Sequence, residues 1–345
     1  MKVVFLARRF SPHVGGVEKH LAELSAELSQ RHNITIVTEQ YDQALPLEDP
    51  ALSSLIIRRI PLRHQQSNKW DIWLWWLKNF SLLRQADIVH IHDVFFWLLP
   101  FVLFIPRKKL FITFHGYEGN NAPNWRQKFW HRLAATLCAG SIGIGGFHEK
   151  WYGVRPTITS YGAVSEKLPA LESQRNGDLI FLGRLSEDTG IRTYLLGLVE
   201  LKKQGIMRHL DVYGDGPLRT ECEAIAISNG LSVRFRGFVP SASRLLPQYK
   251  VALISRHLAI LEALSTGIPI IAAWDNDIKH DYLALSPFAR WITSVHTPQQ
   301  VAQALQKNLT VQPQSIEWAR TQTWKKLAAQ YELLWSVCQS TQRGV

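Results

Sequence analysis

Residues 1–30 read MKVVFLARRFSPHVGGVEKHLAELSAELSQ, and their pattern decides the fold. Val3-Val4-Phe5-Leu6-Ala7 is a continuous apolar run, too short for the core of a secretion signal, and reads as a buried strand. A loop with Pro12, Gly15 and Gly16 follows. From Val17 to Gln30, Val17, Leu21, Leu24 and Leu28 then fall on one helical stripe. An all-apolar strand feeding an amphipathic helix through a glycine turn is the opening unit of a parallel sheet covered on both faces.

Outward from that unit the rhythm repeats. Asn33–Thr38, Ile56–Ile60, Ile88–His92, Leu110–His115 and Ser141–Ile144 are further β-rich runs. The pattern restarts with a strand at Asp178–Gly183, a helix at Ile191–Gln204 and a strand at Leu210–Tyr213. A helix at Leu218–Asn229 is closed by Gly230. Strands at Val233–Arg236, Val251–Ser255 and Ile268–Ala273 follow, with a helix over Ala259–Thr266 ending at Gly267. The polar stretch with Pro169 and Arg175 predicts a linker at 164–177. The 345 residues thus divide into Rossmann-like domains at 1–163 and 178–314 and a helical tail at 315–345 that carries Trp318, Trp324, Tyr331 and Trp335.

Composition narrows the function. The chain is 46% hydrophobic with a formal net charge of +11, which suits a folded protein that meets phosphates or anionic surfaces. Its basic residues are scattered pairs such as Arg8-Arg9 and Lys325-Lys326, with no DNA-reading motif, so no nucleic-acid partner is expected. Cys138, Cys222 and Cys338 lie far apart, without metal or disulfide spacing, and read as buried fillers in a cytoplasmic protein. The longest uncharged apolar stretch, Val94 to Ile105, contains Pro100 and falls short of the roughly 20 residues that span a bilayer.

Parallel sheets bind ligands at the carboxyl ends of their strands, and four such ends carry informative residues. Gly15 and Gly16 precede a helix, where backbone N–H groups can approach an anion or simply make a tight turn. Arg184 follows Gly183 at a strand end, placed to grip a diphosphate or to lie on the surface. Gly214-Asp215-Gly216-Pro217 permits close approach of a nucleotide or a sharp turn. Ser255-Arg256-His257-Leu258 leads into a helix whose first N–H groups form an anion site, with Glu262 among its apolar residues.

Taken in order, these features resemble the retaining glycosyltransferases of the GT-B fold, family GT4. The Gly15-Gly16-Val17-Glu18 helix start is similar to that family's opening loop. Val89-His90-Ile91-His92 and Thr113-Phe114-His115-Gly116 resemble its "VHxH … TxHG" strands. Leu182-Gly183-Arg184-Leu185, Gly214-Asp215-Gly216-Pro217, Arg236-Gly237-Phe238-Val239 and Leu261-Glu262-Ala263 match its donor-side landmarks, and Trp324 to Tyr331 its returning terminal helix. The resemblance implies an α/β GT-B architecture, two Rossmann-like domains with parallel sheets facing across a cleft. The N-terminal domain would serve the acceptor and the C-terminal one the nucleotide sugar. It implies a UDP- or GDP-sugar donor as substrate, no cofactor and no metal.

By position, Gly15 and Gly16 would lie near the donor phosphates and His115 near the reacting sugar. Arg184 with Gly183 would neutralise the leaving diphosphate, Gly214 and Gly216 would line the nucleoside pocket, and Glu262 would bond the ribose. Ser255, Arg256, His257 and Leu258 would cradle the diphosphate. His115, Arg184 and Glu262 are the catalytic candidates.

Two positions depart from the family's pattern. Ile254 stands where it has a first motif glutamate, and Thr189 where it has a phosphate-binding lysine. Arg256, His257 or Arg192 could replace those contacts. The segment from Lys69 to Leu83 has helical spacing and tryptophans on more than one side. Trp70, Trp73, Trp75 and Trp76 therefore either pack inside or meet the inner face of a membrane, peripherally. The expected function is hexose transfer to a glycan or lipid-linked acceptor in cell-surface polysaccharide, lipopolysaccharide or glycolipid assembly. The alternatives are a non-catalytic partner of another transferase and a sugar-nucleotide epimerase of the same fold. A dehydrogenase fits poorly, because the first loop lacks GxGxxG.

Overall fold

The structure, a computed structural model, describes residues 1–52, 54–62, 69–117, 121–165 and 175–340. Most of the expected linker at 164–177 lies outside them, as does the side chain of Cys338. The chain forms two compact α/β units, the first from Met1–Tyr117, Pro123–Ser160 and the segment beginning at Trp324, the second essentially Tyr161–Thr323.

In the first unit the elements run β1 (Lys2–Ala7), α1 (Gly16–Leu28), β2 (Asn33–Gln40), β3 (Glu48–Leu52), β4 (Leu55–Pro61), α2 (Lys69–Lys78), α3 (Phe80–Gln85), β5 (Ile88–His92), β6 (Leu110–Phe114), α4 (Trp125–Leu137), β7 (Gly140–Ile144), α5 (Phe147–Tyr152) and β8 (Ile158–Ser160). The sheet order is β3-β4-β2-β1-β5-β6-β7-β8, parallel except for β3 against β4. Every residue of β5, β6 and β7 is buried, as expected of central parallel strands covered on both faces.

Four of those buried positions are polar: His90, His92, Thr113 and Ser141. The terminal helix, Trp324–Ser340, packs against α1 and supplies hydrogen-bond partners to two of them, His90 and Thr113. Trp335 Nε1 donates to His90 Nδ1 at 3.1 Å. An indole N–H can only donate, so the proton of a neutral His90 sits on Nε2 and is given to Thr113 Oγ1 at 2.8 Å. The Tyr331 hydroxyl shares a 2.8 Å hydrogen bond with Thr113 Oγ1 and a 3.1 Å one with His20 Nε2. The bonds thus form one continuous chain from Trp335 to His20. Burial holds both histidines neutral, with pKa values lowered to about 3, and His20 lowers His90 further.

The second unit contains β9 (Gly177–Leu182), α6 (Ile191–Lys203), β10 (His209–Tyr213), α7 (Arg219–Ser228), β11 (Ser232–Gly237), β12 (Tyr249–Leu253), α8 (His257–Thr266), β13 (Ile270–Ala273), α9 (Asp277–Ala284), β14 (Thr293–Val295), α10 (Pro298–Gln306) and α11 (Pro313–Arg320). Its sheet is all parallel in the order β11-β10-β9-β12-β13-β14. Phe181, Tyr194, Leu198 and Val301 centre the core, and the Tyr194 hydroxyl clasps β13 by donating to Ile271 O and accepting from Ala273 N. The helical stretch expected from Ser315 is two helices. α11 belongs to the second unit, where Arg320 Nε donates to Ser265 O and Ile316 packs at Gly267, and the chain turns at 321–323 before the terminal helix.

Strand order reverses between β1 and β5 in one sheet and between β9 and β12 in the other. Such switch points open crevices at the carboxyl ends of the strands, and the candidate residues gather there.

Tyr331→Phe removes the hydroxyl that joins Thr113 to His20 and should lower unfolding free energy by about 1–3 kcal/mol in denaturant titration. The histidines also set a pH dependence. Between about 3 and 6.5 the unfolded chain binds protons that folded His20 and His90 refuse. Stability is therefore complete above pH 6.5 and falls with acidification, by about 1.4 kcal/mol per histidine per pH unit. Denaturation midpoints across that range measure the slope.

Candidate functional site

In the first unit the loop after β1 is tied by side chains. Arg9 donates to His13 Nε2 at 2.8 Å, which leaves the His13 Nδ1 proton to the Glu18 carboxylate at 2.7 Å. A side chain at Gly15 would run into that carboxylate, whereas a Cβ on Gly16 would meet no protein atom within 4 Å. Gly16 thus opens α1 onto empty space, where its N-terminal amides can be approached.

Across the switch point, β5 is followed by Asp93, whose φ is +61°. Its carboxylate accepts the backbone N–H of His115 at 3.0 Å, and its own N–H donates to Thr113 O. The imidazoles of His92 and His115 stack at 5.0 Å and share a 2.7 Å bond between His92 Nδ1 and His115 Nε2, while His20 meets His115 edge-on at 4.7 Å. His92 Nε2 is buried without a hydrogen-bond partner among the described atoms. Buried N–H groups are rarely left orphaned, so His92 carries its proton on Nδ1 and donates it to His115, whose own proton then lies on Nδ1. Burial first, and the neighbouring imidazoles second, hold both well below the usual histidine range. His115 therefore acts as a neutral hydrogen-bonding group.

In the second unit two strand-end loops, those after β9 and β10, are laced together. Gly183 N donates to Tyr213 O, Leu185 N to Asp215 O and Leu218 N to Leu185 O. Gly214 lies so close that a Cβ would overlap the Gly183 carbonyl, at a φ of +141°, and a Cβ on Gly216 would strike the backbone of Leu185. These two glycines are accounted for by the docking of the loop against β9.

Arg184 is exposed and donates to Ser186 Oγ at 3.4 Å, and Ser186 donates to Asp188 at 2.5 Å. Arg256, at the N-cap of α8, forms an ion pair with the same Asp188. Arg256 thus pairs with Asp188 directly, while Arg184, from the other side of the switch point, reaches it only through Ser186. Below them Lys279 of α9 is 1% exposed and donates to Ser255 O at 2.5 Å, with its ammonium 4.7 Å from the centre of the Tyr282 ring. Burial, reinforced by Arg256, holds Lys279 well below its usual range.

Other expected residues are engaged inside the protein. Ser255 Oγ donates to Thr189 O. His257 stacks on Tyr282 at 3.6 Å, its Nε2 donating to Tyr282 O and its backbone N–H to the Tyr282 hydroxyl. Arg192 is held by both Glu187 and Glu221 at 2.6–3.0 Å. Thr189 caps its own turn by donating to Ser186 O, and Ile254 is buried. Leu258 is half-buried and Glu262 is buried on the inner face of α8.

Residues 14–159 match the family model for Glycosyltransferase Family 4, and residues 176–310 that for Glycosyl transferases group 1. The chain is a glycosyltransferase, with a family 4 domain in its first half and a group 1 domain in its second. The fold of this glycosyltransferase is shared with solved structures at low identity. Sucrose-phosphate synthase from Thermosynechococcus elongatus aligns over 99% of this chain and 100% of that one, with a TM-score of 0.79 and 13% identity. Anabaena HepE in complex with UDP-glucose aligns over 100% of both chains, with a TM-score of 0.65 and 15% identity. The lipopolysaccharide outer core galactosyltransferase WaaB aligns over 98% of this chain and 100% of that one, at 0.63 and 16%. Among curated protein sequences none matches.

Asp93, Asp188 and Lys279 of this glycosyltransferase escaped sequence reasoning. Asp93 follows the second histidine of Val89-His90-Ile91-His92 and could have been found as a strand-end acid. Lys279, in the polar run Asp275-Asn276-Asp277-Ile278-Lys279-His280-Asp281, gives no signal of burial.

Gly214→Ala should destabilise the protein by about 3 kcal/mol, from overlap with Gly183 and a left-handed φ. A calorimetric melt in the absence of nucleotide reads this loss.

Proposed function

We propose that this glycosyltransferase moves a hexose from a UDP- or GDP-sugar to a glycan or lipid-linked acceptor with retention of configuration. The work would be done at the cytoplasmic face of a membrane, in polysaccharide, lipopolysaccharide or glycolipid assembly. The observation that carries the reading is the convergence of Arg184 and Arg256 at the β9/β12 switch point, Arg256 paired with Asp188 and Arg184 linked to it through Ser186. A carboxylate held between two basic strand ends occupies a position suited to a diphosphate, which offers more charge and more acceptor atoms. When a donor binds, its diphosphate displaces Asp188 from Arg256 and takes up both arginines, assisted by the amino end of α8.

Of the three cations that could replace the family's lysine at Thr189, Arg256 is the one the geometry favours. Arg192 is clamped by two glutamates, and His257 is enclosed by Tyr282. As the glycosidic bond breaks, negative charge gathers on the leaving diphosphate, where Arg184 and Arg256 stabilise it. The acceptor attacks from the face that the diphosphate leaves, which retains configuration. His115, held neutral and oriented by His92 and Asp93, contributes a hydrogen bond to the transferred sugar rather than a charge. Glu262 is assigned to the ribose hydroxyls. HepE, whose structure holds UDP-glucose, supports a uridine donor over a guanosine one.

Isothermal calorimetry with UDP-glucose, UDP, GDP and uridine tests the reading. Arg184→Ala and Arg256→Ala should each weaken UDP about tenfold or more without changing uridine binding, because only the diphosphate contact is removed. Arg192→Ala should leave UDP affinity within about twofold, as a surface pair away from the ligand. Asp188→Asn should tighten UDP a few-fold by removing the competing carboxylate. Absence of binding to folded protein by UDP- and GDP-sugars at about 1 mM, the upper end of ordinary substrate constants, would instead give the non-catalytic partner reading, which the Thr189 and Ile254 departures favour.

A further inference from the structure

Of the four tryptophans expected either to pack inside or to meet a membrane, Trp76 is fully enclosed and Trp73 donates its indole N–H to Phe96 O at 3.0 Å. Trp75 is half-buried against Trp76. The cause is the packing of α2 against β4 and the turn at Phe95–Leu98, which takes the Ile72–Trp76 side of the helix inside. Only Trp70 remains fully exposed among them, on a stripe with Leu74 and Leu77.

That stripe belongs to a wider surface. The 3-10 turn Val102–Phe104 leaves Leu103 86% and Phe104 73% exposed. α4 buries only Ala134 completely and exposes Trp125, Phe129 and Trp130. The three segments adjoin one another. Phe80 of α3 packs on Phe101, Arg107 Nε donates to Cys138 O at the end of α4, and Leu137 lines a hollow with Val102, Leu103 and Phe104. They also connect strands that step in one direction across the sheet, from β4 to β5, β6 and β7, which places them in one layer on one face.

Charge singles out this layer. Residues 69–85, 94–109 and 124–137 hold nine lysines and arginines against one acid, the buried Asp71, and so account for most of the chain's formal excess of +11. A monomer rarely exposes so many large apolar side chains together. Paired with a one-sided basic charge, they match the interface of an anionic bilayer, where aromatic and aliphatic tips enter the headgroup boundary and lysines and arginines meet lipid phosphates. Nucleic acid would use the charge but has no need of Leu103 and Phe104.

We infer that the α2, Val102–Phe104 and α4 layer is a docking surface for an anionic lipid bilayer, with Leu103 and Phe104 entering the headgroup region. Among the described residues no helix is long and apolar enough to cross a membrane, so the contact is peripheral. The inference deepens the proposed work at a membrane face by naming the surface that makes it.

Flotation with phosphatidylcholine vesicles, with and without about one-third phosphatidylglycerol, tests it. The full chain should float with the anionic vesicles and not with the neutral ones. The double variant Leu103→Ser/Phe104→Ser and the variant Lys108→Glu should each weaken that binding about tenfold, and 10 mM inorganic phosphate should not compete. These side chains are exposed, so melting temperature and UDP affinity should match the parent, which separates this test from that of the donor site. Equal binding to neutral vesicles, full retention of anionic binding by the double variant, or displacement by a short DNA duplex with the variants unaffected would each overturn the inference.

Discussion

A tryptophan indole can give a proton to a hydrogen bond but cannot accept one, and in this protein that asymmetry organises a core. Because Trp335 donates to His90, the His90 proton is fixed on Nε2 and given to Thr113, from which Tyr331 continues the chain of bonds to His20. The strands that carry His90 and Thr113 are enclosed on both sides, so their polar groups depend on the terminal helix for partners. Beside them, His92 and Asp93 orient His115. The same buried polar arrangement that closes the first unit therefore also sets the protonation and direction of its candidate catalytic histidine.

The second unit uses charge where the first uses neutral hydrogen bonds. Its switch point gathers Arg184, Arg256 and Lys279, and one carboxylate, Asp188, pairs with Arg256 and is linked to Arg184 through Ser186. Such a cluster is costly to leave without an anion, and Asp188 supplies one from the chain itself. Lys279 differs in kind. Enclosed and directed at the Ser255 carbonyl, it braces the loop that carries Arg256 and is shielded from solvent.

Much of this was legible in the sequence, for identifiable reasons. Central parallel strands are continuous apolar runs, so β1, β5, β6, β9, β10 and β12 stand out, and glycine or arginine just past them marks the ligand ends. The edge strands β8 and β14 have three residues each and no such signature. The tryptophan-rich helix was recognisable as apolar on more than one side, but which tryptophan turns inward is decided by β4 and the turn at Phe95–Leu98. Arg184 was legible from its place after a strand. Choosing Arg256 over Arg192 and His257 required partners distant in sequence, Asp188, Glu221 and Tyr282. The glycines of Gly214-Asp215-Gly216 were legible as a loop, while their reason, the backbone of Gly183–Leu185, became visible only when the loops were seen side by side.

The first unit is interrupted in sequence by the second, and this bears on how the protein is made. Strands β1 to β8 emerge from the ribosome before nearly all of the second unit, yet Tyr331 and Trp335 emerge only after all of it. The second unit is nearly continuous and can complete its core as soon as α11 is out. The first must hold a sheet in which His90 lacks Trp335 and Thr113 lacks Tyr331 throughout that interval, and it closes last although it began first. Assembly of the histidine-bearing unit thus reports that translation has reached the terminal helix, and a prematurely ended product keeps an intact nucleotide-type fold beside an N-terminal sheet without its final layer.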